Sequence, residues 1–167
     1  MRRSLGRDRI HLRLTAPAWR AAVPAVERVV DRAARAALAT ARSATGRDVS
    51  LVLAGDARVR ALNRRWRRRD KATNVLAFPA GPMPAIPDAP RPLGDVIIAL
   101  GVARAEARGG GMTLTAHLSH LVVHGILHLL GHDHETAAEA TRMERLETRT
   151  LAALGFSDPY AGFEGDV

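Results

Sequence analysis

Residues 124–134 read H-G-I-L-H-L-L-G-H-D-H, and the spacing within them sets both the fold and the chemistry expected of the chain. His124 and His128 are four residues apart in a strongly apolar segment. On a helix they share one face, about 6 Å apart along the axis. Gly131 supplies the left-handed conformation that ends a helix, so the chain can turn and bring His134 back to the same point. Three neutral imidazoles around one cation leave a fourth position open, the pattern of a catalytic rather than a structural zinc site. Imidazole suits zinc best, although nickel, copper and iron accept the same ligands. A single histidine on an apolar helix would be read as core. Four of the chain's seven histidines in eleven residues predict a metal site with one Zn²⁺ per chain.

Backwards from this stretch, His117 and His120 continue the helical stripe. Positions 120 and 128 lie about 12 Å apart on a helix, too far to share a metal through bonds of about 2.0–2.1 Å. That leaves 124, 128 and 134 as the ligand trio, with His117 and His120 read either as cleft groups or as packed residues. Asp133 is a candidate to hold a ligand's second nitrogen, or else a helix cap. Leu118, Leu121, Val122, Ile126, Leu129 and Leu130 cover the other sides of the 115–130 helix. A helix that is apolar all round belongs at the centre of the fold.

Further outward, alternation predicts strands at 8–14 and 48–54, a buried strand at 73–78 and a central strand at 93–100. Asp95, near the start of the last, is a cleft carboxylate or a turn former. A helix is expected from Trp19 to about Ala44, delayed or kinked by Pro24 and closed by Gly46. Asp56 is expected to cap a helix with Val59, Leu62 and Trp66 inward, so Trp66 is read as core rather than as a base-stacking platform. Six of the nine prolines fall in 79–92, a loop bordering the site. Short and long helices follow at 102–108 and 137–154. The last of these points Ala140, Met143, Leu146, Thr150, Leu151 and Leu154 inward. The elements predict an α/β (α+β) fold, a mixed sheet of about four strands packed with helices around the metal-bearing helix, as one domain over 1–167.

Charge is unevenly distributed. Residues 1–71 carry 19 Lys+Arg against 6 Asp+Glu, and 72–167 carry 6 against 11. From Arg58 to Lys71 there are eight basic residues and one acidic, a pattern that reads either as a solvated helix face or as an RNA-contacting cluster, with Arg64, Arg65, Arg68 and Arg69 as the candidate contacts. No cysteine is present, no run is apolar enough to cross a membrane, and the first residues are charged, a combination that predicts a cytoplasmic protein. The spacing H-x3-H-x2-G-x2-H is also that of metzincin proteases, but their general-base glutamate is here Gly125. A metal cleft beside arginines points instead to a phosphodiester.

These residues resemble the YbeY family of bacterial single-strand-specific endoribonucleases and rRNA maturation factors. The resemblance rests on L-N-R-R-W-R-R-R-D-K-A-T-N-V-L-A-F at 62–78, L-G-D-V-I-I at 93–98 and H-L-S-H-L-V-V-H-G-I-L-H-L-L-G-H-D-H at 117–134. M-E at 143–144 and L-G-F-S-D-P-Y at 154–160 complete it. It implies that His124, His128 and His134 bind zinc, and that Arg67 is the functionally important arginine near the metal. It further implies single-stranded RNA of the small-subunit (16S) rRNA 3′ end as substrate, the ribosomal small subunit as partner, and a role in ribosome maturation and quality control. Two positions depart from the family pattern: Asn74 stands where a carboxylate is usual, and Trp66 where tyrosine is. The expected mechanism is zinc activating water or polarising the scissile phosphate, with Arg67 stabilising negative charge; attack by the RNA 2′-OH is the alternative. A non-catalytic rRNA-binding assembly factor with a structural zinc is the competing function.

Overall fold

The computed structural model describes residues 7–41, 46–84 and 86–161. In chain order the elements are β1 (Arg9–Leu14), α1 (Ala18–Ala22), α2 (Val26–Leu38), β2 (Arg47–Ala54), α3 (Asp56–Arg67), β3 (Val75–Pro79), β4 (Arg91–Ala99), α4 (Leu100–Gly109), α5 (Leu114–Leu129) and α6 (Ala137–Ala153). The sheet order is β1-β2-β4-β3. β1 and β2 run parallel, as do β2 and β4, while β3 closes the far edge antiparallel to β4. The mixed four-stranded sheet expected from the sequence is therefore present.

The central strand β4 divides its side chains between two cores. Val96 and Ile98 join Leu51 and Leu53 of β2 under α2 and α5, whereas Ile97 and Ala99 pack with Val59 of α3 and Leu76 of β3 on the opposite face. A strand covered on both sides shows a continuous apolar run, which is how V-I-I-A reads. Between the sheet and α6 lies α5, whose Leu118, Val122, Val123, Ile126 and Leu127 are fully buried. Truncating any one of these leucines to alanine removes about 2–5 kcal/mol of stability through lost burial and the cavity left behind.

Four expectations need correction. The single helix expected over 19–44 is two helices, because Pro24 cannot continue α1 and Ala25 turns left-handed at φ 52° before α2 begins. α2 also ends at Leu38; residues 42–45 lie outside the described residues, and Gly46, at φ 83°, leads directly into β2. Asp56 does not cap its own helix, since Gly55 holds that position. Its carboxylate instead accepts the backbone N–H groups of Gly101 at 2.8 Å and Val102 at 3.2 Å, so it satisfies the first turn of α4. The fourth concerns Trp66, which is 63% exposed rather than inward; Val59 and Leu62 supply the apolar side of α3.

Candidate metal centre and its arginine-lined cleft

Local rules place the first two histidines of the trio. Thr113 caps α5 by accepting the Ala116 N–H, and the helix keeps His124 and His128 on one face. At its other end Gly131, at φ 97°, donates its N–H to the His128 carbonyl while His132 donates to the Leu127 carbonyl. This paired closure is the Schellman motif, and it directs the following residues back across the helix end. His134 consequently meets the other two, with ring centroids 5.9 Å from His124 and 5.0 Å from His128. One ring nitrogen from each of the three lies within 4.8 Å of the others.

The chemistry of the donors fits a cation held by all three. The Nε2 atoms of His124 and His128 are 3.1 Å apart, close to the roughly 3.3 Å that two tetrahedral zinc–nitrogen bonds imply. Nδ1 of His124 donates to Oε1 of Glu147 at 2.7 Å; a carboxylate only accepts, so His124 must carry its proton on Nδ1 and present the Nε2 lone pair to the cleft. Burial, reinforced by the neighbouring His124 and His134, pushes the His128 imidazole below its ordinary pKa and keeps it in the neutral, ligating form.

Glu147, absent from the residues singled out in the sequence, is the organising carboxylate of this wall. It is 1% exposed and also accepts from Nε2 of His120 at 2.5 Å and from the hydroxyl of Tyr160. Burial alone would raise its pKa, but the hydrogen bonds from His120, His124 and Tyr160 outweigh it and hold the group down at about 2. Tyr160 is pushed up, first by burial and then by its hydrogen bond to Glu147, so it remains a donor. A signal for Glu147 does exist in the sequence: it sits four residues after Met143 and four before Leu151, an inward position of α6 occupied by a charge. Tyr160, beyond the last helix, carries no comparable local signal. His120 is thus a partner of Glu147, and His117 is buried against Glu106 at 2.7 Å; neither lines the cleft. Asp133 accepts the His134 backbone N–H at 2.7 Å, and the next helix is capped by Thr136 with Glu139, so Asp133 takes neither role expected of it. Asp95 is exposed on β4 and outside the cleft lining.

The trio opens into a cleft of about 970 Å³ that is also lined by Arg67 and Arg69 and, at the start and along one face of β3, by Asn74, Val75 and Ala77. α3 ends there with Arg68 left-handed at φ 56°. Asn63, buried at 2%, binds this turn by donating from Nδ2 to the Lys71 carbonyl at 2.9 Å and by accepting the Arg69 N–H on its own carbonyl. The Arg60–Asp70 pair adds a surface clasp at 2.9 Å. Of the arginines expected at the site, Arg67 and Arg69 reach the cleft. Arg65 lies over the Trp66 ring, and Arg64 and Arg68 are exposed outside the cleft.

Gly125 also lines the cleft, and its missing side chain is a packing requirement. A Cβ there would lie 2.6 Å from Cγ1 of Val96, a stiff branched residue of the sheet. α5 cannot carry the protease glutamate at this position without moving off the sheet.

A family model described as Endoribonuclease YbeY matches residues 16–155. The chain is 51% identical over 148 residues to "Endoribonuclease YbeY" of Paramagnetospirillum magneticum, covering 86% of this chain and 90% of the relative. It is 51% identical over 151 residues to the protein of that name from Rhodopseudomonas palustris, covering 89% and 87%. The solution structure of TM1509 from Thermotoga maritima shares the fold, with a TM-score of 0.54 at 20% identity over 95% of this chain and 99% of that one.

Proposed function

The chain belongs to the endoribonuclease YbeY family, and from that premise we propose that residues 1–167 form one zinc-dependent, single-strand-specific endoribonuclease domain. Its substrate is the 3′ end of small-subunit (16S) rRNA, and it acts with the ribosomal small subunit in maturation and quality control. The observation that carries this reading is the meeting of three imidazoles and two guanidinium groups across one cleft. Among the described residues no helix is long and apolar enough to cross a membrane, which is compatible with work in the cytoplasm, where rRNA is made.

His124, His128 and His134 hold the zinc in this proposal. When bound there, zinc supplies Lewis acidity to a phosphoryl oxygen and to water. The protein's own part is to keep His128 neutral, to fix the proton of His124 on the Glu147 side, and to exclude a competing carboxylate at position 125. Arg67 and Arg69 share the cleft with the histidines and offset negative charge that develops on the phosphate. Asn74, Val75 and Ala77, which line the same cleft, border the path along which an RNA strand lies. The nucleophile, water or the RNA 2′-OH, is read from the product ends: a 2′,3′-cyclic phosphate marks the second.

The experiment is cleavage of a single-stranded fragment carrying the small-subunit rRNA 3′ end by wild type, His128→Ala and Arg67→Ala, with metal content and folding measured on each. Loss of cleavage in both folded variants supports the proposal. Unchanged cleavage in both overturns it and favours a non-catalytic rRNA-binding role.

A further inference from the structure

Trp66 is the most exposed tryptophan the fold could offer to a ligand. α3 has an apolar side available, and it is filled by Val59 and Leu62, while Trp66 in the last turn is left 63% exposed. The other tryptophan, Trp19, is 0% exposed and donates its indole N–H to the Ala54 carbonyl at 2.9 Å. A large indole in water forgoes burial worth several times that of a methyl group. Its neighbours do not make it part of an apolar docking patch, because Arg64, Arg65, Arg67, Arg68 and Arg69 surround it in sequence and all are exposed. Among the described residues none of these five forms an ion pair.

The ring is also held ready. The guanidinium carbon of Arg65 sits 5.3 Å from its centroid. The turn just after it is fixed by buried Asn63 and by the Arg60–Asp70 pair. The next residue, Arg67, points into the cleft, and Arg69 joins it. An exposed aromatic face set among unpartnered cations matches one ligand chemistry: a nucleobase free to stack, on a backbone of phosphates. A duplex keeps its bases stacked on each other and offers only the phosphates.

We propose that Trp66 is a stacking platform that receives an unpaired base of single-stranded RNA beside the histidine cleft. This rests on the nuclease reading above and adds to it the residue that distinguishes single strands from duplexes. Arg65 backs the ring, and Arg67 and Arg69 take the adjoining phosphates.

The test uses the full chain and a 2′-O-methyl oligouridylate, single-stranded or annealed to its complement, with strand integrity checked by gel. Because Trp19 is buried, a change in tryptophan emission on binding reports Trp66. The single strand is expected to quench emission and the duplex to leave it nearly unchanged. Trp66→Ala is expected to weaken single-strand binding about five- to a hundredfold and duplex binding less than twofold, while Trp66→Phe restores most of the single-strand affinity. Trp19 emission and far-UV circular dichroism confirm that the variants fold. Equal affinity of wild type and Trp66→Ala for the single strand, or equal losses on both ligands, overturns the platform. Metal-dependent cleavage by wild type is measured in parallel: if it persists, only the platform falls, and if wild type neither binds nor cleaves RNA, both readings fall.

Discussion

The two walls of the cleft are held by opposite means. On the histidine wall a buried carboxylate stands behind the first ligand: Glu147, 1% exposed, ties His124, His120 and Tyr160 together, and helix α5 is buried on its remaining sides. On the arginine wall the backbone is anchored through Asn63 and the left-handed Arg68, but the guanidinium groups stand in solvent. The difference follows the demands of each task. A ligand set loses its metal if a nitrogen moves by a fraction of an ångström, whereas long cationic side chains must adapt to a polymer that arrives in many conformations. Rigidity is concentrated where coordination needs it.

Removing the metal separates the walls most sharply. Chelation is expected to abolish RNA cleavage while helical circular dichroism persists, because the Glu147 hydrogen bonds and the α5 core hold the histidine wall without a cation. Unfolding on chelation would make the metal structural and dissolve the contrast. Next in size is Glu147. Glu147→Gln should lower zinc affinity about 10- to 100-fold in a chelator competition. Glu147→Ala, which strands two imidazoles and a phenol, should also cost about 3 kcal/mol in a denaturant melt. A zinc affinity equal to wild type in both would show that the histidines need no support from behind.

On the other wall, Arg67→Ala should reduce the cleavage rate at saturating RNA about a hundredfold and leave zinc affinity unchanged. A lost metal in that variant would mean that the walls are not independent. The smallest effect is expected from Arg64→Ala, outside the cleft. RNA binding should weaken only a few-fold and its salt dependence should fall by about one counterion, with the cleavage rate at saturation unaltered. A large rate effect there would extend the catalytic wall beyond Arg67 and Arg69.

Much of this arrangement was legible in the chain. The apolar run of β4 announced a strand covered on both faces, and the H-x3-H step with Gly131 announced both the helix and its closing turn. T-A-A-E at 136–139 is a capping box, which starts α6 as written. The errors have a common origin. Trp66 lies on the expected inward stripe of α3, yet that helix covers the sheet only with its first two turns, so the last turn projects beyond the apolar surface. Asp56 has the residue type and place of an N-cap, but the N-terminus of α4 is near enough to take its carboxylate. Glu147 looks ordinary in the sequence because an acidic residue in a polar-rich helix is usually solvated.

What the sequence determined by itself is therefore what lies within a turn or two of the chain. Helical periodicity puts His124 beside His128, glycine ends the helix, and β-branched runs make strands, since each depends on backbone conformation and on burial at fixed intervals. Only the tertiary structure decided that Glu147, 23 positions from His124, stands behind it, that Arg67 faces the same cleft, and that Trp66 is left outside the core. Those pairings depend on how α5 is seated between β3, β4 and α6 and on where α3 runs off the sheet. No local period records such placements, because they are set by the packing of elements distant in the chain.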